Sequence, residues 1–114
     1  MSEILNINSA MEMVDNDKEL YLSLLDSFEN GINYDTNHLI ELEKEKDLIP
    51  AAKYVHLLKG ASLQIGAERL GEIAKTLENT LRGKESGDVS ELTKAFIVEY
   101  ELALSAIRAY KAQC

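Results

Sequence analysis

Apolar positions along this chain recur at intervals of three and four residues, the spacing that lines one face of an α-helix. Leu20, Leu24, Leu25 and Phe28 form one such run, and Ile32, Leu39 and Leu42 a second. Tyr54, Leu58, Ala61 and Ile65 form a third, and Ala67, Leu70, Ile73, Ala74, Leu77 and Leu81 a fourth. Val89, Leu92, Phe96, Tyr100, Ala103, Ile107 and Tyr110 make the longest. No segment alternates apolar and polar residues with the period of two that a half-buried strand requires. The breaks between runs carry helix start and stop signals. Asn16 with Glu19, and Asp88 with Glu91, read as capping boxes. Asp47 suits an N-cap, and Pro50 is tolerated because it falls in a first turn. Gly31 and Gly66 read as helix ends, and Gly83 to Gly87 as a loop. These signals predict helices near 17–30, 32–46, 50–65, 67–83 and 89–111, with a short entry helix within 4–14 capped by Asn8 or Ser9. Connections this short favour antiparallel neighbours. The expected fold is all-α: an antiparallel up-and-down four-helix bundle of the last four helices, with the additional N-terminal helix at 17–30 packed on it or capping it, in a single domain spanning residues 1–114.

The polar positions of the run 50–65 contain one unusual feature. With about 100° per residue, Tyr54, Leu58, Ala61 and Ile65 gather opposite His56, with Val55, Leu57 and Ser62 on the shoulders. His56 then shares the outward face with Ala52, Lys59, Gly60 and Leu63. Residues four apart stack along a helix surface, so Ala52 and Gly60 are too short to cover the imidazole from either side. Glycine inside a helix costs roughly 1 kcal/mol relative to alanine, and an outward face gives no packing reason to accept it. Clearance for a partner gives one.

Composition narrows the range of chemistry. The chain has 114 residues, 46% apolar and 28% charged, enough for one domain to bury a core without metals or disulfides. A net charge of −8, with no stripe of lysines or arginines, excludes nucleic acids and anionic membranes as natural partners. The only cysteine is Cys114, so an intrachain disulfide and a thiolate metal site are both excluded, and a reducing cytoplasm is the expected setting. The first residues lack the basic and apolar regions of a secretory signal, and no stretch approaches the ~20 apolar residues that span a bilayer.

Nucleophilic catalysis by serine or cysteine finds no support, because Ser62 is on a buried shoulder and Cys114 lies at the chain end. No glycine loop of the nucleotide-binding kind is present, so the chain has no ATP site of its own. Paired Glu-x-x-His motifs of a di-metal bundle are absent, since Asp35 precedes His38 and Lys53 precedes His56 at that offset. His38 reads as a surface residue. A neutral imidazole, by contrast, has a free ring nitrogen able to attack phosphorus. Lys59, one turn along, is a cation suited to oxygens that gather charge in a loose phosphoryl-transfer transition state. A carboxylate from a neighbouring helix would fix the tautomer.

The run His56-Leu-Leu-Lys59-Gly60-Ala-Ser62, followed by Gly66-Ala67, Leu70 and then Leu77-Glu78, resembles the histidine-containing phosphotransfer (HPt) domain of multistep phosphorelays. The helical order over nearly the whole chain is similar to that family as well. The resemblance implies a phosphocarrier in two-component signal transduction, with no ATP site and no cofactor or metal of its own. His56 would accept the phosphoryl group through Nε2, with Lys59 beside it and Gly60 giving clearance for the partner's loops. Glu78 falls where the family often has a glutamate or glutamine bonded to the other ring nitrogen, and Arg82, one turn on, near the docking surface. Ala52 and Leu63 complete the expected partner face. Implied partners are receiver domains of response regulators and of a hybrid sensor histidine kinase, which supply Mg2+, and the carrier itself would be a monomer. The sequence departs from the family at Val55, where a smaller residue commonly precedes the histidine. Two other readings share the bundle: a non-catalytic binder acting on a receiver domain or kinase as inhibitor or scaffold, and the excised phospho-accepting segment of a chemotaxis-type kinase.

Overall fold

A computed structural model describes residues 3–32 and 34–114. Met1, Ser2 and Asn33, the last within the expected run 32–46, lie outside the described residues. The described residues form six α-helices: α1 (Ile7–Met13), α2 (Lys18–Asp26), α3 (Thr36–Lys44), α4 (Leu48–Ile65), α5 (Glu68–Leu81) and α6 (Val89–Ala112). A π-helical turn, Ser27–Gly31, continues α2, with the Ile32 amide donating to the Ser27 carbonyl five residues back at 3.0 Å. No strand occurs among the described residues.

Acidic and amide side chains cap α1, α2, α3 and α6, whereas α4 and α5 begin at Asp47 and Ala67 without a side-chain cap. Asn6 accepts from the Ser9 amide, Asp17 from Leu20, Asp35 from Asn37 and Asp88 from Glu91, each satisfying a donor that has no partner within its helix. Two expected caps are displaced. α1 is capped by Asn6 and not by Asn8 or Ser9, and α2 by Asp17 and not by Asn16. Asp15 and Asn16 both take the left-handed conformation, at φ 53° and 60°, to turn the chain out of α1, so no helix can begin before Asp17. The apolar face of α2 rotates accordingly. Leu20 is 46% exposed, whereas Tyr21, Leu25 and Phe28 are buried.

Side-chain contacts give the register of the columns. From one end of α2 to the far end of α3, Tyr21 meets Tyr110, Phe28 meets Tyr100, Tyr34 meets Tyr100 and Phe96, and Thr93 donates to Glu43. Rising numbers on one side meet falling numbers on the other, so α2, the π turn and α3 form one interrupted column antiparallel to α6. The same column runs antiparallel to α4: the Tyr21 hydroxyl donates to the Ile65 carbonyl at 2.8 Å, and His38 packs edge-on against Tyr54. Helix α5 returns between α4 and α6. The expected up-and-down bundle is therefore present, and α2 and α3 share its first column end to end. The element at the end of the bundle is α1, next to the α4–α5 turn.

That turn depends on one glycine. Gly66 ends α4 at φ 85°, and its carbonyl accepts from the Asn6 amide at 2.7 Å. Asn6 also donates through its side chain to Glu68 at 2.7 Å, tying the chain entry to the first turn of α5. A Cβ at position 66 would overlap the Asn6 carbonyl.

Leu25, Leu39, Leu58, Ile65, Leu70, Leu77, Phe96 and Ile107 fill the centre. On α4 the buried positions are Ala51, Ala52, Val55, Leu58, Ser62 and Ile65, while Tyr54 and Ala61 are only half-buried. The buried stripe is thus rotated from the expected one, toward Ala52 and Ser62.

Gly66→Ala combines a left-handed residue with a Cβ and a clash with backbone that has no rotamer to yield. It is expected to cost at least ~2 kcal/mol and to lower the melting temperature by roughly 5 to 10 °C, measured by circular dichroism. An unchanged melt would show that the turn tolerates an ordinary side chain.

Candidate functional site

The site is built across α4 and α5. His56 projects from the middle of α4 with its side chain 59% exposed, and Nδ1 lies 3.0 and 3.1 Å from the two carboxylate oxygens of Glu78 on α5. An ionised carboxylate can only accept, so Nδ1 carries the proton and Nε2 keeps its lone pair. With Nδ1 turned toward α5, the free nitrogen is on the side away from Glu78.

Glu78 receives two further donors. Lys59 Nζ is 3.0 Å from Oε1, and Arg82 Nε is 2.9 Å from Oε2, the latter one helical turn along α5. The Glu78 side chain is only 7% exposed. Burial raises its pKa, but hydrogen bonds from Lys59, Arg82 and His56 outweigh that and hold it down at about 2. A charged carboxylate on the inner side of the imidazole, with every oxygen occupied, fixes ring orientation and tautomer together.

His56, Lys59, Glu78 and Arg82, picked out from the sequence, therefore form one cluster. Lys59 stands differently from the expectation, because its ammonium group is already bonded to Glu78 and the side chain is only 25% exposed. Gly60 is exposed, and a Cβ there would meet nothing within 4 Å, so no packing accounts for the glycine. Leu63 is 47% exposed on the same face. Ala52 is a correction: it is fully buried in the core cluster and offers nothing to a partner. The wheel put it on His56's face, but the packed side of α4 extends past it, and a methyl group is small enough to be enclosed there. Ser62 is buried with its hydroxyl donating to the Leu58 carbonyl at 2.5 Å, as a serine excluded from chemistry would be. His38 is exposed on α3 and bonded to none of the cluster.

Sequence patterns did not reveal the neighbour across from His56. A groove of about 410 Å³ runs between α4 and the first column, lined on one side by His56, Leu57, Gly60, Ala61 and Gln64, and on the other by Leu24, Ser27, Phe28 and Ile32. The second wall contains the π turn. A π turn widens a helix locally and aims its residues off the regular face, and no periodic pattern signals it. Glu29 within the turn is anchored to α6 by Arg108 at 2.8 Å and Lys111 at 2.9 Å. Among the described residues, no group of three or more His, Cys, Asp or Glu side chains could hold a metal ion, and no helix is long and apolar enough to cross a membrane.

A family model described as the Hpt domain matches residues 12–110 of the chain. No curated protein and no solved structure matches it.

The Glu78 contacts generate a pH dependence with a definite sign. Its folded-state pKa of about 2 lies below the ordinary 4.5, so the stabilisation is present above pH 4.5 and is lost as pH falls toward 2. Glu78→Gln should melt below the wild type at pH 7 by the equivalent of ~1 to 3 kcal/mol, and the gap should close between about pH 4.5 and 2. Melting curves across that range check it, and a gap independent of pH would mean that charge on Glu78 is unimportant.

Proposed function

Because the chain belongs to the Hpt domain family, whose members act in histidine phosphotransfer within phosphorelays, we propose that His56 takes a phosphoryl group from the aspartyl phosphate of a receiver domain and passes it to the aspartate of another. The observation that carries this reading is the imidazole tied through Nδ1 to a buried carboxylate, with its other nitrogen turned outward on a half-exposed side chain.

In the first half-reaction the Nε2 lone pair attacks phosphorus. The P–N bond forms as the bond from phosphorus to the aspartyl oxygen breaks, and the receiver's carboxylate departs with that electron pair. The ring becomes cationic, with the Nδ1 proton retained on the Glu78 side. A carboxylate held ionised at that position stabilises the cation as it develops, without moving. Lys59 and Arg82, bonded to the carboxylate that holds the ring, are the cations we assign to phosphoryl oxygens beside it, a role for cations in a loose transition state. Onward transfer is the reverse step with a second aspartate. Mg2+ belongs to the receiver in this scheme, and the carrier contributes a nucleophile, an orienting carboxylate and an unobstructed face. A monomer in a reducing cytoplasm, serving a hybrid sensor kinase and a response regulator, is the setting we propose.

Incubation with a phosphorylated receiver domain should yield acid-labile, base-stable phosphate on His56. His56→Gln is expected to abolish uptake while lowering the melting temperature by no more than a few degrees, since the side chain is exposed and a glutamine amide can still donate to Glu78, while His38→Gln transfers normally. Binding without uptake by the wild type would favour the inhibitor or scaffold reading.

Gly60 gives an independent check. Gln at 60 points into open space and gains helix propensity, so Gly60→Gln should melt at or above the wild-type temperature. It also stands one turn from the nucleophile, where the phosphorus must approach to roughly 3 to 3.5 Å. Transfer should fall at least ~10-fold, a loss of about 1.4 kcal/mol in transition-state stabilisation. Unimpaired transfer would remove this face from the docking surface.

A further inference from the structure

Gly71 lies in the interior of α5, where glycine is a poorer helix former than alanine, and it is buried. Its φ is not positive, so the backbone conformation does not demand glycine. What demands it is a side chain from α4. A Cβ at position 71 would stand 2.6 Å from Leu63 Cδ2 and 3.0 Å from Leu63 Cγ, with Ser62 Cβ next at 4.0 Å. Leu63 therefore lies across α5, with its outer half in the space that the missing side chain leaves. It is nevertheless 47% exposed, and it sits seven residues after His56 on the same face of α4, about 10 Å further along the axis.

We propose that Gly71 is a positioning residue for the docking face: it lets Leu63 lie flat, so that the surface from His56 past Gly60 to Leu63 stays low enough for a receiver domain to seat against it. This proposal rests on the phosphotransfer reading and adds to it a residue that touches neither the phosphoryl group nor the partner. Apolar carbons pack at about 3.5 to 4.0 Å, so a methyl group at 71 must drive the end of Leu63 away by roughly 1 Å. The obstacle is the tip of a flexible side chain, and the backbone can stay in place. The displaced tip has α5 beneath it and solvent above it, so it moves outward into the face. The contrast with Gly66, where an added Cβ meets backbone, is that position 71 can absorb the change without unfolding anything.

The test is a double-mutant cycle with a phosphorylated receiver domain, reading melting temperature, the KM for the receiver and the transfer rate at saturation. Gly71→Ala is expected to melt at or above the wild type, to raise KM by about fivefold or more, and to leave the saturated rate within ~2-fold. Gly71→Ala combined with Leu63→Ala should bind like Leu63→Ala alone, because no side chain remains to be lifted. Additive losses, or Gly71→Ala with an unchanged KM in a protein that accepts phosphate normally, overturn the proposal and leave the phosphotransfer reading intact. A melt lowered by many degrees together with an unchanged KM assigns Gly71 to packing alone and also overturns it. Failure of the wild type to accept phosphate from the receiver rejects the reading beneath it.

Discussion

Everything at the site depends on keeping one carboxylate charged while it is nearly enclosed by protein. An ionised group removed from water is costly unless its lone pairs are matched, and Glu78 is matched by three donors: His56 and Lys59 of α4, and Arg82 at the C-cap of its own helix. The contacts work in both directions. The cations hold the carboxylate well below its ordinary pKa, and the carboxylate holds the imidazole in one tautomer and one orientation. They also cross-link α4 to α5, so the orientation of the imidazole and the docking of two helices are a single arrangement.

Helices α4, α5 and α6 were legible because their signals are local. Asp47 with Pro50, Gly66 and Asp88 each fix a backbone conformation within a few residues, and the structure starts or stops helices at them. The first column was harder to read. Whether Asn16 or Asp17 caps α2 is decided by how the chain leaves α1, with two residues in the left-handed region, and the one-residue difference moves Leu20 to the surface and Tyr21 into the core. The end-to-end stacking of α2 and α3 against α4 and α6 is set by long-range aromatic contacts such as Phe28 with Tyr100 and Tyr34 with Phe96, which leave no trace in local periodicity.

The site divides in the same way. Two short patterns, His56-x-x-Lys59-Gly60 and Leu77-Glu78, pointed to residues that the fold brings within hydrogen-bonding distance, 22 positions apart in the chain. Ala52 failed because a helical wheel gives direction without saying how far the packed side extends, and a small residue at the margin can fall on either side. The groove wall from α2 and the π turn was invisible for a stronger reason: Leu24 and Phe28 look like ordinary core residues in the sequence, and only the neighbouring column decides that they also border an open groove next to His56.

Charge is arranged around this geometry. Residues 1–47 hold twelve of the twenty acidic residues and three of the twelve basic ones, whereas α4 carries Lys53 and Lys59 and no carboxylate. Glu78 is the carboxylate bonded to His56, and its charge is compensated by Lys59 and Arg82 before any ligand arrives. In the proposed reaction, a phosphoryl group approaching Nε2 would therefore meet an α4 face that carries no carboxylate of its own, on a protein whose net charge of −8 would otherwise repel it. At ~0.15 M ionic strength the Debye length is about 8 Å, so charges farther away than that are largely screened from the imidazole, while Lys59 and Arg82, bonded to the carboxylate that holds it, are not. An acidic carrier can thus serve an anionic group, because the electrostatics that matter are confined to the few side chains gathered around Glu78.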